Sequence, residues 1–283
     1  MLFFFFQAED GIRDLVRSRG LGDVYKRQNM ESISAAIEGK ADRIELCENL
    51  HEGGVTPSEE FILEAKKVCQ IPIHVLIRPR SGNFVYTLNE FLQMEEEIRF
   101  CKRNGIEGVV LGCLLTSGKI DIENTRMLAS LAKPMSVTFH RAFDVASDYP
   151  EILEDVIACG CNRLLTSGQA KGAFEGANKI RELITQSAGR IIILPGGGVR
   201  DSNVAELIRL TRASEIHSSC INFENSVNLT PDPLDTVSYT HLRAHETVLD
   251  LVCRLLLQKT PPPPPTTTCH THPQSTSTDI TSR

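Results

Sequence analysis

The chain has 283 residues, a formal charge of −6 and 41% hydrophobic residues, enough apolar material for one large barrel or two ordinary domains. The acidic balance, with no Trp and only four Tyr, argues against a nucleic-acid partner, which needs a basic surface and stacking aromatics. Nine cysteines without a Cys-x-x-Cys pair point to a reducing, cytoplasmic setting rather than a disulfide scaffold or structural zinc site, and no apolar run is long enough to span a membrane.

The chain opens with the apolar run Leu2 to Phe6, too short for a signal-peptide core, and continues to Gln28 through a charged stretch with neither helical nor strand periodicity. Helical spacing first shows at Ile33, Ala36 and Ile37, closed by Gly39. Seven short apolar runs then recur at intervals of roughly 25 to 35 residues, the rhythm of a (β/α)8 TIM-type barrel. They are Arg43 to Cys47, Ile73 to Arg78, Gly108 to Cys113, Met135 to His140, Arg163 to Ser167, Ile191 to Pro195 and Glu215 to Ser219. Helical segments separate them, with start signals at Thr56-Pro57-Ser58-Glu59, Thr87 to Glu90, Asp121, Asp148, and Asp201 or Ser202. A closed barrel needs eight strands, so the first strand is expected to be missing or replaced, as is the last helix.

The ends are the reason for that expectation. Phe4 to Gln28 and Val237 to Leu257 resemble conceptual translations of sequencing-library adapter DNA. The expected division is a non-native segment over 1–28, the barrel over 29–232, an adapter-like segment with helical spacing over 233–260, and a disordered Pro/Thr/Ser-rich tail over 261–283.

Alternate residues of a barrel strand face the interior, and here those positions collect charge. Arg43, Glu45 and Cys47 oppose Ile44 and Leu46; His74 and Arg78 oppose Ile73, Val75 and Ile77; Thr138 and His140 oppose Val137 and Phe139; Glu215 and His217 share one face. Burying charge is costly without partners or a ligand, and barrel sites form at the C-terminal ends of the strands. Cys47, Arg78, Arg80, His140, Arg141, Asp144, Ser167 and the Gly196-Gly197-Gly198 turn all fall there. Glycine turns expose N–H groups to anions, and arginines grip carboxylates or phosphates, so a small anionic metabolite is the expected guest. In this reading Glu45, His140 and Asp144 carry acid–base chemistry, while Arg78, Arg80, Arg141, Ser167, Gly196, Gly197, Gly198 and His217 hold the ligand. Plainer readings stand beside these: Arg78 with Glu45 as an interior ion pair, His217 as a hydrogen-bonded core histidine, and the triple glycine as a turn. Cys159 and Cys161 precede a strand and read as structural, and Cys69, Cys101 and Cys220 carry no functional expectation.

The ordered motifs resemble those of the CutC copper-homeostasis family. The resemblance is carried by Ala41 to Cys47, Glu52 to Ser58, Ile77 to Arg80, Thr138 to Asp144, Leu165 to Gly168, Leu194 to Gly198 and Ile216 to Ser219, and it runs from about Asn29 to about Ser219. It implies a TIM-type barrel, a cytoplasmic setting, self-association into a homo-oligomer and a role in copper handling, with copper(I) as the ligand and Cys47 as its thiolate. It implies no settled reaction. The family's usual first strand ends with a cysteine shortly before Glu-Ser; Glu31 and Ser32 are present here, but Asn29 stands at the cysteine position. Copper(I) prefers several soft thiolates, and Cys47 lacks that partner. Two functions are therefore expected to compete: copper binding at Cys47, and an enzyme acting on a small phosphorylated or carboxylated metabolite.

Overall fold

A computed structural model describes residues 2–6, 33–34, 36–37, 41–49 and 52–218 of the chain. Its elements are β1 Leu2–Phe6, β2 Arg43–Leu46, α1 Glu59–Val68, β3 Ile73–Leu76, α2 Leu88–Arg103, β4 Gly108–Leu111, α3 Ile122–Ala132, β5 Ser136–Phe139, α4 Ala142–Val145, α5 Ile152–Ala158, β6 Arg163–Thr166, α6 Ala177–Ser187, β7 Ile192–Pro195, α7 Asp201–Thr211 and β8 Ile216–Ser218. All seven apolar runs become strands. With β1 they form one parallel sheet of eight strands in the order β7-β6-β5-β4-β3-β2-β1-β8, with helices between successive strands as the sequence rhythm predicts.

The expected gap at the first strand is filled by Leu2–Phe6. Phe3 to Phe6 align with Arg43 to Leu46 of β2, and Leu2 to Phe4 align with Ile216 to Ser218 of β8. A strand of a parallel sheet reads as a continuous apolar run, which is what these five residues are. The charged stretch that follows Phe6, the segments 233–260 and 261–283, and Cys220 lie outside the described residues.

The alternation seen in the sequence divides the strands as expected. Ile44, Leu46, Ile73, Val75, Ile77, Val109, Leu111, Val137, Phe139 and Leu164 face outward into one apolar cluster, with Phe61 and Ile62 of α1, Met94 and Ile98 of α2, Leu128 of α3 and Leu183 of α6. Each large side chain so buried is worth about 1.5–3 kcal/mol relative to exposure. Ile33 and Ala36, both helical, belong to the same cluster.

Several caps sit elsewhere than the sequence suggests. Thr87 and Glu90 make the expected reciprocal box at α2, and Asp121 caps α3 through the Asn124 N–H at 3.1 Å. At α1 the cap is Ser58 rather than Thr56, because the Thr56 hydroxyl is taken up in tertiary bonds: it accepts from the Arg78 N–H and donates to Glu97, both at 2.8 Å. Asp148 pairs with Lys179 at 3.6 Å, and Glu151 is the N-cap of α5. α7 begins at Asp201 with Arg200 as its N-cap, so neither Asp201 nor Ser202 caps it. Just past His140 the chain turns into the four-residue helix α4, with Arg141 as its N-cap and Asp144 within it.

Candidate functional site at the carboxyl end of the barrel

The interior holds two polar clusters, one above the other. The lower lies at the N-terminal ends of the strands. Glu215 accepts from Arg163 Nε at 2.8 Å and Nη2 at 3.1 Å, lies 3.6 Å from Arg43, and Arg163 Nη1 donates to Ser136 Oγ at 2.8 Å. Burial above all, with Arg163 adding to it, lowers the Arg43 guanidinium to about 10, so it stays charged at neutral pH. His74 stands beside this group; burial first and Arg43 second push it down to about 3, leaving it neutral. Gly108 makes room for it: a Cβ there would lie 2.4 Å from the imidazole.

The upper cluster occupies the carboxyl ends, where the sequence places its candidates. Glu45 on β2 is fully buried, and its Oε2 is 3.1 Å from His217 Nε2 on β8. Burial alone would favour the neutral acid, but His217, Arg43 and His74 outweigh it and hold the carboxyl below the usual range. The ion pair expected between Arg78 and Glu45 is not formed. Arg78 Nη1 donates to the Gly54 carbonyl at 2.8 Å and Nη2 to the Gly82 carbonyl at 2.7 Å, and the guanidinium carbon lies 4.7 Å from the Phe84 ring centre. The short loops after β2 and β3 need a donor for their inward carbonyls, and Arg78 supplies it.

His140, just past β5, is buried and packed against Phe84, with ring centres 4.8 Å apart. Its Nδ1 accepts from the Ala142 N–H at 3.2 Å, which places the ring proton on Nε2. Burial first and Arg78 second lower its pKa to about 3. Gly112 at the end of β4 leaves the space for the ring, since a Cβ there would come 2.7 Å from Nδ1. Four buried polar atoms around this end have no hydrogen-bond partner: Glu45 Oε1, Thr138 Oγ1, His140 Nε2 and Arg78 Nε. Such atoms are rare in folded proteins, and several together mark a place where water or a ligand belongs.

Asp144 does not reach His140. Its carboxylate accepts from Thr166 Oγ1, from the Ser167 and Gln169 N–H groups and from Ser167 Oγ, and pairs with Arg141 Nε at 2.7 Å. Arg141 Nη2 donates to Ser167 Oγ at 2.9 Å, and the guanidinium stands over the glycine turn, 3.0 Å from where a Gly197 Cβ would sit. Arg141, Asp144, Ser167 and Gly197 thus form a second group on the rim. Gly197 adopts φ 101° and Gly198 φ 69°, values open to glycine at little cost, while Gly196 N–H is spent on the Thr166 carbonyl at 2.9 Å. Arg80 belongs to neither group. It binds Glu90 and the carbonyls of Ser81, Asn83 and Val85, and so pins the loop before α2.

Cys47 follows β2 and packs with Leu76 and Val110. Burial, with Glu45 and Glu48 nearby, drives its thiol far above the usual range, the opposite of what a metal-binding thiolate needs. Among the described residues no group of three or more His, Cys, Asp or Glu is placed to hold a metal ion.

Thr138, Phe84 and Gly112 complete the upper cluster without having been candidates. Parity did turn Thr138 inward, and the second glycine of the Gly108 to Cys113 run was the available signal for Gly112. Nothing local marks Phe84, which reaches His140 and Arg78 from the loop before α2.

Eight parallel strands and interleaved helices define a TIM-type (β/α)8 barrel. Within that class the chain belongs to the CutC family, whose profile matches residues 26–222. A CutC family protein of Chromobacterium violaceum is 48% identical over 191 residues, 68% of this chain and 77% of the relative, and one of Xylella fastidiosa is 42% identical over 81% and 85%. The crystal structure of a Streptococcus agalactiae CutC, designated a copper-homeostasis protein, superposes with a TM-score of 0.63 at 30% identity, over 77% of this chain and 98% of that one.

Proposed function

We propose that the upper end of the barrel binds a small anionic metabolite and exchanges protons with it. The observation that carries this reading is the set of four buried atoms without a hydrogen bond at this end, Glu45 Oε1, Thr138 Oγ1, His140 Nε2 and Arg78 Nε. Glu45, oriented by His217, supplies the acceptor; His140 supplies a neutral donor; Arg141 and the Gly197-Gly198 turn offer positive charge and N–H groups on the rim. Asp144 acts as the positioning residue for Arg141 and Ser167, and Arg80 as a loop anchor. Isothermal titration of the intact chain with inorganic phosphate tests the anion site: binding in the millimolar range or tighter is expected, weakened about tenfold or more by Arg141→Ala, and no detectable binding overturns the reading.

A second reading, copper homeostasis as in the name of the S. agalactiae relative, rests on Cys47 at the interior end of β2. The residue at the position of the family's other cysteine, Asn29, lies outside the described residues, so the cargo copper(I) would need a further thiolate supplied there or by a second copy. Cu(I) affinity under reducing conditions in wild type and Cys47→Ser decides: unchanged tight binding removes Cys47 from copper handling. A cytoplasmic setting and a homo-oligomer are part of the same proposal, and no described helix is long and apolar enough to cross a membrane.

A further inference from the structure

His140 is built as a fixed donor rather than as a proton shuttle. Its Nδ1 is occupied as an acceptor by the Ala142 N–H, so the ring cannot turn without losing that bond, and Gly112, Phe84 and Phe139 wall it in. One hydrogen remains, on Nε2, buried and without an acceptor among the described residues. A buried N–H with no partner costs free energy in the unliganded protein. That cost is relieved by an oxygen arriving on the ligand. A neutral imidazole donates one directed hydrogen bond without bringing a charge that would have to be desolvated, and this is the property enzymes use to polarise a carbonyl.

We infer that His140 donates its Nε2–H to a carbonyl oxygen of the ligand, so that the guest of the upper cluster is a small carbonyl compound bearing a phosphate or carboxylate. This rests on the anion-site reading above and narrows it. Glu45 Oε1 offers an acceptor at the same end, and Thr138 Oγ1 can donate or accept, whereas His140 Nε2 is the buried neutral ring donor left over. Arg78 also shapes the choice. Its positive charge opposes protonation of His140, which keeps the lone donor hydrogen in place across the neutral range. Roles for His140 as a general base are closed to it, since the only lone pair on the ring already accepts a bond.

The test uses the full chain labelled with 15N-histidine. Long-range 1H–15N correlation should show His140 as the neutral Nε2–H tautomer from pH 8 down to pH 5, while an Nδ1–H tautomer or an ordinary imidazole titration overturns the inference. Dihydroxyacetone phosphate and 3-hydroxypropyl phosphate, the same carbon chain without the C2 oxygen, then serve as probes. The carbonyl compound should bind about tenfold more tightly or better and shift the His140 Nε2–H resonance, because its analogue leaves the donor unpaired. His140→Leu should reduce the preference between the two probes to near unity with phosphate affinity retained, and His140→Gln, which keeps an N–H donor, should restore part of it. Equal affinity for the two probes, or binding of neither, overturns the carbonyl assignment. If phosphate still binds in that case, the anion site survives; if phosphate fails as well, both fall together.

Discussion

The two ends of the barrel interior are built from the same kinds of residue, and their carboxylates are satisfied to different degrees. At the lower end Glu215 is clasped by two Arg163 nitrogens and faced by Arg43, and Arg163 goes on to Ser136. At the upper end Glu45 has one oxygen on His217 and one on nothing, and the donors of Thr138, His140 and Arg78 include atoms with no acceptor. Charge inside a barrel therefore does not locate a site. The lower cluster spends much of its capacity on itself, through Glu215, Arg163 and Ser136; the upper one holds more of its capacity open.

The largest expected effect follows from breaking the closed end. Arg163→Met removes the bidentate partner and leaves Glu215, only 4% exposed, with Arg43 alone at 3.6 Å. Loss of one member of a buried pair typically costs about 3–5 kcal/mol, whereas replacing both members by apolar residues of similar volume is near neutral. Urea unfolding of Arg163→Met should show that loss, and the triple variant Arg163→Met/Glu215→Leu/Arg43→Met, which replaces every charge of the group, should regain most of it. A single variant as stable as wild type would mean that the lower cluster is solvated and is no counterpart to the upper one.

Acid tests both ends together. His74, facing Arg43, Glu45 and Arg163, and His140, facing Arg78 and Glu45, are both lowered to about 3. Between that value and the unfolded pKa near 6.5 the unfolded chain binds more protons than the folded one, so stability is full above about pH 6.5 and is lost as pH falls, by up to about 1.4 kcal/mol per pH unit for each histidine. The depressed carboxyl of Glu45 adds a loss of the same sign only at the lower end of that range. The urea midpoint should drop steadily from pH 6.5 to 4.5, with a shallower slope in His140→Gln. A flat profile would show that neither ring is held neutral.

How much of this contrast the sequence carries depends on the distance over which each partner is chosen. Strand positions and parity are local, and they correctly send Ile44, Val75, Val137 and Phe139 outward and Glu45, Thr138, His140 and His217 inward. The partners are not local. Arg78 was a natural mate for Glu45 by position and charge, yet three loop carbonyls compete for it, and those carbonyls turn inward only once the loops after β2 and β3 are folded. Asp144 looked like a companion of His140 four residues back, but α4 starts between them and swings the carboxylate toward the Ser167 and Gln169 N–H groups of the next loop. The first strand shows the converse. Leu2–Phe6 has no charge or alternation to declare which way it faces, and its place is assigned by the open edges of β2 and β8 rather than by any signal of its own.

Within the upper end the comparison sharpens to single groups. Gly112→Ala places a Cβ where Nδ1 of His140 now sits, 2.7 Å away, with Phe139 at 3.1 Å behind it. Overpacking of that kind costs about 1–3 kcal/mol and should displace the imidazole, which the His140 ring resonances would report. An unperturbed ring would show that the space is looser than the strand spacing implies.

The smallest change is the most discriminating. Thr138 and Thr166 sit on neighbouring strands and are both fully buried. The Thr166 hydroxyl donates to Asp144 and accepts from the Gly168 N–H at 2.8 Å; the Thr138 hydroxyl has no partner. Exchange for the near-isosteric valine keeps the volume and deletes only the hydroxyl. Thr166→Val removes one donor to the Asp144 carboxylate and strands the Gly168 N–H, and should lower stability by about 1–3 kcal/mol, while Thr138→Val removes a group that gains nothing from its surroundings and should leave stability unchanged or raise it by up to about 1 kcal/mol. Equal losses at the two positions would mean that the Thr138 hydroxyl is satisfied after all, and with it would go the claim that this end of the barrel is held open for a ligand.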